Sequence, residues 1–164
     1  MFFETEKFKV ELARAEDAYE IADVYNSNKK FLMNHIGKDK IDGNWVVKEL
    51  EDMKKIDFNP CKIIEKQSNK VAGVLDFKVE EETYLAILIL KSDYKNKGMG
   101  KLLYGALEKY AKSLGSETMR IDVVTNYDAN VLKFWNSNGF IKFKDVKLSW
   151  GEKELPAVIM KKEI

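Results

Sequence analysis

Leu88-Ile89-Leu90-Lys91-Ser92-Asp93-Tyr94-Lys95-Asn96-Lys97-Gly98-Met99-Gly100-Lys101-Leu102 runs from an apolar strand through a basic loop into a helix. Glycines at a helix start let the chain bend tightly and let another group approach its backbone. The first N–H groups of a helix lack partners within it, and the dipole there favours negative charge. A strand, a glycine loop and a helix start in this order therefore make a phosphate site. Lys91, Lys95, Lys97 and Lys101 gather around it, with Asp93 as the single opposing acid. In a lysine-rich chain such residues are often plain surface, but convergence on a helix N-terminus favours a binding role.

Two familiar phosphate loops do not fit. A Walker loop needs Gly-x-x-x-x-Gly-Lys-Ser/Thr, whereas Leu102 follows Gly100-Lys101 and Lys95 stands where the first glycine belongs. A dinucleotide fingerprint needs a third glycine where this chain has Leu103, and it normally follows the first strand of its fold.

Working outward, Phe8-Lys9-Val10-Glu11-Leu12 alternates apolar and polar residues, the period of a half-buried strand. Ala18, Ile21, Ala22 and Tyr25 recur at helical spacing between Glu16 and Asn26. A short helix is predicted over Lys29–His35. Asp42 is placed to cap another that carries Trp45, Val46, Leu50 and Met53 on one face. Cys61–Glu65 and Val71–Val79 read as strands joined by the turn Gln67–Lys70. Thr83–Leu90 is so uniformly apolar that it predicts a strand buried on both faces. Gly98–Leu114 is the clearest helix, striped with Leu103, Leu107 and Ala111 and stopped by Gly115. Thr118–Val124 predicts a strand and Ala129–Asn136 a short helix. Phe140–Leu148 and Leu155–Lys161 predict a hairpin around Trp150-Gly151. This order gives an α/β fold, a mixed central sheet with helices on both faces. With no repeat and no Gly/Ser-rich linker, residues 1–164 are expected to form a single domain.

The 164 residues are 45% hydrophobic and 34% charged, with a net charge of +1, so global attraction to nucleic acid or an anionic membrane is not expected. Cys61 is the only cysteine and sits among apolar residues, where it reads as a small buried hydrophobe. His35 is the only histidine, so no metal site is expected. The first residues lack the pattern of a signal peptide, and the longest apolar run, Tyr84–Leu90, is too short to span a bilayer. A cytoplasmic location is expected.

The turn resembles the signature of the GNAT family of N-acetyltransferases, Arg/Gln-x-x-Gly-x-Gly/Ala after a central strand and opening a helix. Here it reads Lys95-Asn96-Lys97-Gly98-Met99-Gly100, with lysine in the first place, a position that acts through its backbone. A second motif of that family, an aromatic pair followed by Gly-Phe, is matched by Phe134-Trp135 and Gly139-Phe140 within Asp128–Phe140. Each is weak alone; in order and at this spacing they reinforce one another.

The resemblance implies a central strand that splays from its neighbour at a bulge, with acetyl-CoA as co-substrate in the gap. Leu88, Ile89 and Leu90 would pair with its pantetheine arm through their backbone. Lys95, Asn96, Lys97, Gly98, Met99, Gly100 and Lys101 would wrap its pyrophosphate, and Asp128, Asn130 and Trp135 would complete the site. The N–H of Leu90 is the implied oxyanion donor. A primary amine, small or peptidic, would then attack the acetyl group directly in a ternary complex. The family's usual acid, a tyrosine before the Gly-Phe, is replaced by Trp135, and its usual glutamate base by Tyr84. Tyr84 and Glu82, two residues apart on one strand face, are the catalytic candidates, with Tyr127 behind them. Departure of the thiolate without an acid is equally compatible. The segment holding His35 lines the acceptor pocket in this family, and homodimers are common. Two other functions compete: an acyl-CoA-binding module without catalysis, and a phosphate- or nucleic-acid-binding domain.

Overall fold

The computed structural model describes residues 1–164. The period-two segment at the start forms β2 (Phe8–Leu12), preceded by a two-residue β1 (Phe3–Glu4) that the sequence pattern does not reveal. So short a strand carries no periodicity. It is held by Phe3, whose ring lies 5.6 Å from that of Tyr110, and by Phe2, 5.3 Å from Phe77. Three helices follow, α1 (Ala18–Asn26), α2 (Lys29–His35) and α3 (Gly43–Lys55), and the Asp42 carboxylate accepts from the Trp45 N–H at 2.9 Å to cap the last. Then come β3 (Asn59–Glu65), β4 (Lys70–Lys78) and β5 (Glu82–Leu90), the helix α4 (Met99–Ser113), β6 (Thr118–Val124), α5 (Ala129–Ser137), β7 (Ile141–Trp150) and β8 (Lys153–Glu163). The hairpin arms are longer than the sequence predicts.

All eight strands belong to one sheet in the order β1-β2-β3-β4-β5-β6-β8-β7, antiparallel except for the β5–β6 pair. Helices cover both faces, as predicted. On one, the α4 stripe of Leu103, Leu107 and Ala111 is fully buried against Leu75, Phe77 and Leu85, with α5 adding Trp135. Burying each leucine there contributes about 1.5–3 kcal/mol. On the other, Ile21, Val24 and Leu32 pack with Val46, Val74 and Ile87. Cys61 is buried as expected, and burial holds its thiol pKa far above the ordinary value.

The reading of β5 as buried on both faces needs correction. Thr83, Leu85, Ile87 and Leu90 are buried, whereas Tyr84, Ala86, Leu88 and Ile89 keep part of their surface. The cause lies in two irregularities. Asp76 pairs with Ile87 and Phe77 with Leu85, so Ala86 is the extra residue of a bulge. The parallel pairing with β6 runs only from Glu82↔Thr118 to Leu85↔Ile121. Beyond that point one edge of β5 faces a gap instead of a strand.

Candidate active site

The gap begins where β5 and β6 part. The Lys91 N–H donates to the Ala72 carbonyl of β4 at 2.7 Å. Amide direction alternates along a strand, so the N–H groups of Leu88 and Leu90 turn away from β4 towards the gap. It widens into a cavity of about 460 Å³ that reaches from Leu85 and Ile121 to the N-terminus of α4.

At that end the glycine turn has the geometry its sequence calls for. Gly98 caps α4 with φ of 76°, and Asn96 is also left-handed at 60°. Asparagine and glycine tolerate this region best. Lys95, Asn96, Gly98, Met99, Gly100 and Lys101 all border the cavity, whereas Lys97 does not. Partial burial lowers the Lys95 pKa, opposed by the nearby Asp128 carboxylate. A Cβ on Gly100 would lie 3.6 Å from the Phe134 ring, in ordinary van der Waals contact, so only a bulkier side chain there would press on the ring or the cavity. Asp128 caps α5 by accepting from the Asn130 N–H at 2.9 Å, and both residues border the cavity. Trp135 touches the cavity too, but 8% exposure and edge-to-face packing on Tyr104, Phe134 and Phe140 make it mainly a core residue.

Asn28, between α1 and α2, was not singled out by the sequence. Its Nδ2 donates to the Val24 carbonyl at 2.8 Å and to the Leu90 carbonyl at 3.0 Å. Those two acceptors fix the amide orientation, because carbonyls cannot donate. Its Oδ1 is therefore a buried acceptor without a partner, in a residue 4% exposed that borders the cavity. An asparagine between two helices reads as an ordinary cap, so no sequence signal marks it.

Tyr84 and Glu82 lie on the paired part of β5, below the gap, and neither borders the cavity. The Tyr84 hydroxyl donates to Asp122 Oδ2, with the Arg120 guanidinium 4.5 Å above its ring. Burial first, then the Asp122 bond, raises its pKa and keeps the phenol neutral. Glu82 forms an ion pair with Lys161 at 2.8 Å. Asp122, not among the residues expected from the sequence, does border the cavity, gripped at 3.0 Å on each oxygen by Arg120. Arg120 and Asp122, a basic and an acidic residue two apart and so on one face of a strand, were the available signal.

The remaining wall is aromatic. Phe31 and His35 of α2, Tyr127 of the β6–α5 loop and Trp150 at the hairpin turn all border the cavity. The His35 ring stacks on Phe31 at 4.0 Å and meets Tyr127 and Trp150 edge-on at 5.0 and 5.2 Å. Burial lowers the His35 pKa to about 4, helped by the Lys153 ammonium and opposed by the hydrogen bond to Phe31. Its Nδ1 lies 3.1 Å from the Phe31 carbonyl and must donate to it, leaving Nε2 as an unprotonated acceptor.

A model of the GNAT acetyltransferase family matches residues 22–140, and the chain belongs to that family. No curated protein sequence matches it. The fold recurs in solved structures at low identity. The PaiA N-acetyltransferase of Thermoplasma acidophilum, in complex with coenzyme A, superposes with a TM-score of 0.68 at 20% identity, over 96% of this chain and 99% of that one. An acetyltransferase of Thermus thermophilus gives 0.74 at 19% identity, over 96% and 97%. YncA of Salmonella typhimurium, a putative acetyltransferase with its cofactor acetyl-CoA, gives 0.64 at 17%, over 96% and 94%.

Proposed function

We propose that this protein transfers the acetyl group of acetyl-CoA to a primary amine by direct attack in a ternary complex. The observation that carries the reading is the parting of β5 and β6 beyond Leu85, which joins an open strand edge to a glycine-capped helix start. The residues suit the co-substrate. Leu88 and Leu90 offer backbone N–H groups to the pantetheine arm, and Ile89 lies between them. Asn28 Oδ1 lacks the donor that a pantetheine amide would supply. The turn Lys95–Lys101 offers N–H groups and cations to the pyrophosphate, with Asp128 and Asn130 beside it.

Bound there, acetyl-CoA supplies the electrophilic thioester carbon. The amine lone pair forms the C–N bond as the C–S bond breaks. The sulfur leaves with the electron pair, and the nitrogen's proton passes to water. The N–H of Leu90, or of Leu88 one repeat deeper in the gap, stabilises negative charge on the carbonyl oxygen. Tyr84 acts through Asp122, holding the floor of the gap with Glu82 beneath it, and positioning supplies most of the acceleration. The test is release of free thiol from acetyl-CoA with an amine panel, with the acetylated product identified by mass.

A second reading, an acyl-CoA-binding module without catalysis, is favoured by Trp135 in the place of the family's tyrosine and by the engaged Tyr84 hydroxyl. It expects acetyl-CoA to bind with no thiol release by any amine.

A further inference from the structure

The aromatic wall has a consequence for the acceptor, and it rests on the transferase reading above. Phe31, Tyr127 and Trp150 each keep part of their surface open while bordering the cleft. Phe31 meets Trp150 at 5.6 Å and Tyr127 at 6.3 Å, near right angles in both cases, and His35 packs among them, so the rings form a rigid cluster whose uncovered parts face the cleft. Aromatic faces of this kind favour another ring in offset or edge-on contact.

The charges point the same way. No carboxylate belongs to this wall. The acids bordering the cleft are Asp122, held by Arg120, and Asp128, committed to capping α5. Lys153 Nζ is anchored on the Met33 carbonyl at 3.2 Å, close enough to disfavour protonation of His35. A polycationic amine would thus meet the Lys153 ammonium, with Asp128, shared with Lys95 near the lysine turn, as the one acid outside an ion pair. His35 Nε2 remains as one uncharged acceptor within the ring cluster, suited to a hydrogen bond from an amine N–H.

We propose that the acceptor is a primary amine carried on a flat aromatic body, packed from the cleft against the open surfaces of Phe31, Tyr127 and Trp150. Its nitrogen forms the new C–N bond to the acetyl carbon while coenzyme A leaves as the thiolate and the surplus proton goes to water.

The experiment compares phenethylamine, tyramine and tryptamine with spermidine and free lysine as acceptors, by thiol release at fixed acetyl-CoA. The expected result is a kcat/KM for the aromatic amines about tenfold or more above the polyamine. Phe31→Leu and Trp150→Leu should raise KM for the aromatic amines several-fold while acetyl-CoA affinity, read by calorimetry, stays unchanged. Preference for spermidine, or KM values indifferent to both substitutions, would overturn the inference. So would acetyl-CoA binding with no turnover of any aromatic amine. Failure of the wild type to bind acetyl-CoA would overturn the transferase reading itself, and calorimetry separates that failure from the others.

Discussion

The lysine turn presents main-chain N–H groups and helix geometry to the cleft, whereas the wall from α2, Tyr127 and the hairpin turn presents rings. The difference teaches where each kind of specificity resides. A backbone site depends on conformation and on the absence of side chains, so it tolerates much sequence change but not an added bulk. A side-chain site depends on which rings are present, so it changes its ligand with one substitution. The first suits a co-substrate shared across a family and the second an acceptor particular to one chain.

Gly100→Trp is the harshest way to break that contrast. An indole beside the Phe134 ring would crowd the cavity that Gly100 borders, and acetyl-CoA affinity should fall about a hundredfold or more by calorimetry. Asn28→Ala comes next. It leaves the buried Leu90 carbonyl without its donor, which should cost about 1–3 kcal/mol in denaturant unfolding. It should also weaken acetyl-CoA binding, because the free Oδ1 acceptor is lost.

Asp76 and His35, whose pKa values burial shifts in opposite directions, add a pH dependence. The Asp76 carboxyl beneath α1 and α3 is pushed up to about 7 by burial, with Glu49 adding to the shift and the Cys61 N–H opposing it. Its folded value exceeds its unfolded one, so the stability it contributes is full below about pH 4 and is lost as pH rises through about 7. The wild type should therefore lose several degrees of Tm between acid and mildly alkaline pH relative to Asp76→Asn. His35 has the opposite sign. Its contribution is present above its unfolded value of about 6.5 and is lost as pH falls through about 4. Thermal melts across that range should show His35→Phe less acid-labile than the wild type. The smallest effect belongs to Lys97→Ala. Its side chain does not border the cavity, so acetyl-CoA affinity should change by less than about twofold.

The turn was legible because Gly98 and Gly100 mark backbone conformation directly, and because β5 before them and α4 after them have unmistakable periods. Most elements followed from pattern in the same way, apart from β1, which is too short for any period. The aromatic wall was only partly legible. His35 lay in a segment expected near the amine, but nothing local says that residues from α2, a loop and a hairpin turn will converge. Tyr84 and Glu82 share a strand face as the alternation required, yet the point at which β6 leaves β5 puts them below the gap. That point is set by the Ala86 bulge and the strand register, which are properties of the assembled sheet. Asn28 was hidden for a related reason, since its unpaired oxygen exists only once Leu90 and Val24 have taken its amide.

The most direct measurement is a calorimetric titration of the wild type and Gly100→Trp with acetyl-CoA, alongside a melt showing that both are folded. One molecule should bind per chain of the wild type with an affinity of about micromolar, and the variant should give no measurable heat. Equal binding by the two proteins, or none by the folded wild type, would contradict the claim that the gap between β5 and β6 is the acetyl-CoA site.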